Sequence, residues 1–122
     1  MRIRQKAPSS YEEKLLGSIN QYRLQNGMNS LAFDKALQKF AENHSRHMEA
    51  TDTLTHAGVD ERYKQCGRSL WVENVGWNYM TPEEQFQAWK NSRAHDENML
   101  NKRIKHAGIS RIGTYVTFFA CD

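Results

Sequence analysis

The sequence is short of several things, and each shortage closes off a class of protein. No apolar run approaches the roughly 18 residues that a membrane-crossing helix requires, so no segment reads as a transmembrane span. Two cysteines in 122 residues, Cys66 and Cys121, are too few for a disulfide-dense scaffold. A bridge between them would close a loop on the order of 50 residues, and an isolated pair fits either reduced thiols or one disulfide in an oxidising compartment. Catalytic signatures are missing as well: there is no H-E-x-x-H, no G-x-S-x-G, and neither cysteine has neighbours that would make it a thiolate nucleophile. Repeats and low-complexity segments are absent. Charge of one sign is also missing from the body of the chain. Of 17 basic and 14 acidic residues, three of the basic ones (Arg2, Arg4 and Lys6) lie in the first ten positions with no acid beside them, leaving 14 against 14. The pI near 9.0 therefore belongs to the tail. With no aromatic and basic alternation on any one element, a nucleic-acid partner is not expected.

What is present suits one soluble domain. Hydrophobic residues make up 39% and charged residues 25%, an ordinary balance for a chain long enough for one core and too short for two. Residues 1–10 read as a tail or linker, with "APSS" as its boundary and no signal peptide before it, and residues 11–122 as a single domain. Ser10 and Glu13 fit a capping box, after which Tyr11, Leu15, Ile19 and Tyr22 recur at helical spacing until Asn26-Gly27. Asp34 caps a second helix whose apolar side holds Leu37, Phe40, Ala41, His44 and Met48. A short helix spans Asp60 to Gln65, and residues 70–79 alternate as a strand. "TPEE" starts another helix, with Thr81 as cap and Pro82 at its first position. A further helix runs from Ser92 through His95 to Leu100. The period then changes to two, and Lys105–Ser110 and Thr114–Cys121 read as a hairpin around "RIGT". Helices before and between the strands predict an α+β domain with a small, mainly antiparallel sheet.

One stretch raises a chemical question. In "WVENVGW", alternation puts Trp71, Glu73, Val75 and Trp77 on one strand face, with a carboxylate inside an apolar row. A buried carboxylate needs a partner or a proton. The candidates are the histidines: His44 and His47 on the second helix, His56 in "LTHAG", His95 in "NSRAHDEN", and His106 at the hairpin. His44 reads as packed core, His47 and His106 as partly exposed, and Asn74 as bonding loop backbone. The three tryptophans read as core, with Trp77 and Tyr79 able to line a groove.

The segments "NQYRLQNGMNSLAFDKALQKFAENHSRHM", "THAG", "ERYKQCG", "ENVGW", "QAWKNSRAHDENML" and "HAGI" occur in the order and approximate spacing of the CAP superfamily. This SCP-like domain is found in plant pathogenesis-related proteins, venom allergens, cysteine-rich secretory proteins and bacterial envelope proteins. The resemblance covers about residues 12–121, and "AHDENML" in place of the longer eukaryotic motif resembles the bacterial branch. It implies a three-layer α-β-α sandwich with an open groove, on whose floor His56, Glu73 and His95 converge. Many members add a second acid to make a metal-holding tetrad, and here that position is Ser92, which also reads as a helix cap.

Two imidazoles and one carboxylate form a recognised zinc set with an open position, and the same three side chains also make a closed hydrogen-bonded cluster. The groove is therefore assigned to His56, Glu73, His95, Ser92 and Trp77, with His56, Glu73 and His95 as ligands for a divalent metal such as zinc. The implied function is a secreted, periplasmic or envelope module, monomeric, binding a lipid, sterol, glycan or protein. No residue is assigned as catalytic. The alternative is a weak metal-dependent hydrolase using the same cluster. An oxidising location favours a Cys66–Cys121 disulfide, since the end of the short helix and the last strand are both expected near the sheet edge.

Overall fold

The computed structural model describes residues 10–122. Residues 1–9, on which the linker reading rests, lie outside the described residues, as does the Ser10 side chain expected to cap the first helix. Helix α1 (Ser10–Gln25) buries Leu15 and Ile19 completely. Gly27 stops it at φ 76°, a left-handed turn that glycine adopts without a Cβ clash. Its last turn carries Arg23, fully buried, which donates to the carbonyls of Asn29, Met99, Asn101 and Ile104. No carboxylate is among these acceptors, so Arg23 stitches α1 to the loop before the hairpin through carbonyl dipoles.

Strand β1 (Ala32–Phe33) follows. It is two residues long, too short to show a period of two, which is why alternation could not reveal it. Helix α2 (Lys35–Thr51) starts where the Asp34 carboxylate accepts from the amides of Ala36 and Leu37. Helix α3 (Val59–Cys66) precedes strand β2 (Trp71–Trp77). Helix α4 (Pro82–Lys90) has the reciprocal Thr81–Glu84 capping box, and α5 (Arg93–Met99) follows directly. Strands β3 (His106–Ile112) and β4 (Tyr115–Cys121) close the chain, turning through Gly113 at φ 61°.

The strands form one four-stranded sheet in the order β1-β3-β4-β2, antiparallel except for the β1–β3 pair. The register sorts side chains by face. Trp71, Glu73, Val75, Tyr115, Thr117 and Phe119 face α2 and α3, where Leu37, Phe40 and Met48 pack against the apolar ones. Val72, Val116, Phe118, Ala120, Ala107 and Ile109 face α1, α4 and α5 and meet Leu15, Ile19, Trp89 and Met99. The result is the expected α-β-α sandwich. Gly108 sets the closeness of one layer: a Cβ there would lie 2.3 Å from the Leu37 carbonyl carbon and from the Gln38 amide nitrogen. Helix α2 therefore rests backbone on backbone against β3.

Candidate functional site

Glu73 is 3% exposed, so its partners decide whether its charge is tolerable. The first is Arg62, buried on α3. Its Nε donates to Glu73 Oε2 at 2.8 Å and its Nη2 to Oε1 at 2.8 Å, a fork-to-fork pair, while Nη1 donates to the Ala57 carbonyl. The second is His56, whose Nδ1 lies 2.9 Å from Oε1. His44 stands further off, with Nε2 3.9 Å from Oε1, and its short bond of 2.6 Å goes to the Thr55 carbonyl. Burial pushes the His44 pKa down.

His95 does not join this group. Asn74 follows Glu73 on β2 and points to the opposite face, where its amide donates to the His95 carbonyl at 3.1 Å. The His95 ring bonds Ser92 Oγ through Nδ1 at 2.8 Å. Ser92 sits at the N-cap position of α5, but its hydroxyl serves this histidine and caps no backbone amide. Burial first, and then the His56 charge, push the His95 pKa down. The expected convergence is thus partial. His56 meets Glu73, the carboxylate's main partner is an arginine, and the His95 ring, close enough to feel the His56 charge, bonds Ser92.

This geometry does not fit a divalent ion. Among the described residues no three His, Cys, Asp or Glu side chains are grouped to share one. Both Glu73 oxygens carry Arg62 N–H donors, so a second cation would have to displace a guanidinium that is itself paired and buried.

Two cavities flank the cluster. One, of about 410 Å³, lies between α2 and α3 and is lined by Phe40, His44, His47, Gly58, Arg62 and Gln65 among others. The second, of about 330 Å³, lies at the end of β2, where Trp77 and Tyr79, 48% and 41% exposed, stand with Leu54 near Ser92 and His95. Its wall includes Gln85, only 1% exposed, whose Oε1 and Nε2 have no hydrogen-bond partner among the described residues. An unpaired buried amide costs about 1–3 kcal/mol.

Sequence reasoning missed Arg62 and Gln85, and one signal would have found both. Val59, Arg62 and Cys66 follow the i, i+3, i+7 spacing of a buried helix face, as do Pro82, Gln85 and Trp89. A polar residue in such a row is a buried polar residue. The cysteines also differ from expectation. Cys66 and Cys121 are free thiols, with Cys121 Sγ 3.0 Å from Cys66 Sγ as a contact and not a covalent bridge. Burial, and then the neighbouring Cys66 thiol, push the Cys121 pKa up.

Comparison with known proteins follows the same lines. The profile of the family described as "CAP: Cysteine-rich secretory protein family" matches residues 16–122. An uncharacterized membrane protein of Bacillus subtilis (strain 168) is 25% identical over 121 residues, covering 92% of this chain and 34% of that protein. The chain therefore spans about a third of this curated relative. An extracellular protein containing an SCP domain from Bacillus anthracis superposes with a TM-score of 0.85 at 20% identity, over 91% of this chain and 40% of the other. An outer surface protein from Borrelia burgdorferi gives 0.84 at 20% identity, over 98% of both chains. A cysteine-rich secretory protein from Staphylococcus aureus gives 0.82 at 18% identity, over 96% of this chain and 41% of the other. At such identities these structures establish a shared fold.

Proposed function

For this chain, which belongs to the CAP family of cysteine-rich secretory proteins, we propose the role of a secreted or envelope binding module whose Glu73 cluster shapes a ligand groove. The observation that carries this reading is the fork between Arg62 and Glu73. A carboxylate with both oxygens held by a guanidinium is neutralised and oriented, so it serves neither as a general base nor as a free metal ligand. What it does well is fix α3 and the His56 loop against β2, and with them the walls of the two cavities. The weak hydrolase is the poorer reading, because it needs Glu73 free and His95 beside it. The extracellular and outer-surface settings of the structural neighbours support the location, which for this chain is part of the proposal.

Native mass spectrometry of protein purified without chelator or affinity metal tests the reading. The expected spectrum contains apo protein, or protein carrying an organic ligand. A stoichiometric zinc adduct that disappears in His56→Ala would overturn the arginine-locked groove and restore the metal site.

A further inference from the structure

The exposed apolar side chains are unevenly placed. Of the six large ones that stand open among the described residues, Leu54, Trp77 and Tyr79 line one cavity at the end of β2, and a fourth, Met80, follows Tyr79 directly. Single exposed apolar residues need no explanation, whereas a contiguous group rimmed by polar residues marks an interaction surface. The group is also held in place. The Trp77 ring packs on Tyr115, with centroids 6.4 Å apart. Asn78 turns the chain at φ 69°, a left-handed conformation that asparagine tolerates, and its amide donates to the Thr114 carbonyl at 2.9 Å. The Tyr79 carbonyl then accepts from the Tyr11 hydroxyl at 3.1 Å. Aromatic side chains on backbone fixed in this way lose little further freedom on binding, as the anchors of protein interfaces do.

Charge narrows the class of partner. The two stretches that build the patch, residues 47–61 and 69–89, contain no lysine or arginine, although the chain has 17. Acids stand at its margin instead. Asp52 accepts at 2.8 Å from the hydroxyl of Tyr115, the ring that Trp77 packs against. Burial, that hydrogen bond and the charges of Asp52 and Glu49 push the Tyr115 pKa up. On the other margin, Glu84 and Glu83 are near enough to Tyr11 to add to the upward push that burial gives its pKa, against the Arg111 guanidinium stacked on that ring. An aromatic patch suited to an anionic lipid surface carries Lys and Arg at its margin. This one carries carboxylates. The Glu73 and Val75 carbonyls on the outer edge of β2 already accept from Asn98 Nδ2 and Trp89 Nε1, so a partner is met through side chains and not as an added strand.

We propose that this face docks a basic segment of a partner protein, with an aliphatic side chain seated among Leu54, Trp77 and Tyr79 and flanking Lys or Arg side chains meeting Glu49, Asp52 and Glu83. The proposal rests on the binding-module reading and gives that module one class of partner.

Fluorescence anisotropy of a labelled, capped peptide with two leucines between pairs of lysines, titrated with the full chain, tests it. Two control peptides replace the lysines by glutamates or the leucines by alanines, and each is expected to bind on the order of tenfold more weakly than the first. Trp77→Ala and Tyr79→Ala, both at exposed positions, are expected to weaken the lysine peptide on the order of tenfold with the melting temperature little changed. Asp52→Asn combined with Glu83→Gln keeps the side-chain shapes and is expected to weaken binding at low salt and to flatten its salt dependence. Equal affinity for the three peptides, or binding that neither aromatic substitution alters, would overturn the proposal. So would no binding at all, or sedimentation with phosphatidylglycerol vesicles that depends on Trp77 in place of peptide binding, which would make the face a membrane contact. An organic ligand in the native mass spectrum alongside any of these results would leave the binding-module reading standing. A zinc adduct lost in His56→Ala, with peptide binding intact, would overturn that reading and not the docking face.

Discussion

Replacing Arg62 by Met tests what holds Glu73 in place. The substitution keeps most of the aliphatic stem and removes the guanidinium, so the loss it measures is chiefly electrostatic. Glu73 would be left 3% exposed with His56 Nδ1 as its nearest polar side chain. Removing one partner of a buried, hydrogen-bonded ion pair costs about 3–5 kcal/mol, against about 1 kcal/mol or less for an exposed pair. Arg62 is itself buried, so the larger range applies. For a domain of this size that is a fall in melting temperature of about 10–20 °C. It is also a large part of the 5–15 kcal/mol that such domains usually have.

The assay is urea denaturation of the parent, Arg62→Met, Glu73→Leu, the double variant, and His56→Ala. Glu73→Leu would be mild if only neutral histidines met the carboxylate. With Arg62 in the pair it strands a buried guanidinium and is expected to be costly. The double variant removes both charges and should recover to within about 2 kcal/mol of the parent, because two apolar groups need no partners. His56→Ala should cost less than about 1 kcal/mol, its side chain being 51% exposed. A loss below about 1 kcal/mol for Arg62→Met, or a larger loss for His56→Ala than for Arg62→Met, would refute the assignment of Arg62 as the main partner.

Three further outcomes follow from the same geometry. His44 and His95 both have pKa values lowered in the fold, so their contribution to stability is complete above the unfolded value of about 6.5 and is lost as pH falls below it; the melting temperature should drop from pH 7 to pH 5, and His44→Gln with His95→Gln should flatten the curve. Gly108→Ala pushes a Cβ to 2.3 Å from α2 backbone, and the overlap should cost at least about 1–3 kcal/mol, read by thermal melting, whereas an unchanged melting temperature would mean α2 is not fixed on β3. Diamide should oxidise Cys66 and Cys121 to an intramolecular disulfide, itself being reduced to the hydrazine, and mass spectrometry should show the loss of two hydrogens with no dimer; persistent free thiols after unfolding and alkylation would show that the pair does not close.

The fold was legible because its parts advertise themselves locally. Asp34 and the Thr81–Glu84 box mark helix starts, and the switch from a period of 3.6 to a period of 2 after Leu100 marks the hairpin. β1 was not legible, since two residues carry no period and its pairing with His106 and Ala107 is set by distant chain. The site was half legible. Alternation correctly put Glu73 among apolar neighbours and so demanded a partner, but the partner was sought only among histidines. Arg62 lies in "DERYKQC", a run of charges that looks solvated unless the helix is turned by Val59 and Cys66 to show its inner face.

The same rotation separates the two halves of the groove. Because side chains alternate across a strand, the Glu73 and Asn74 side chains face opposite layers. His95 is tied by its carbonyl to Asn74, so it is placed with α4 and α5, while Arg62 and His56 come to Glu73 from the α2 and α3 side. Asn98 bridges the strand itself, donating to the Glu73 carbonyl and to Asn74 Oδ1. A shift of α5 along the outer edge of β2, where Asn98 and Trp89 donate to the Glu73 and Val75 carbonyls, would reposition His95 and Ser92 in the cavity without breaking the Arg62–Glu73 pair. The charged lock and the aromatic-rimmed cavity are neighbours along one strand, so the shape of the second can change while the first is kept.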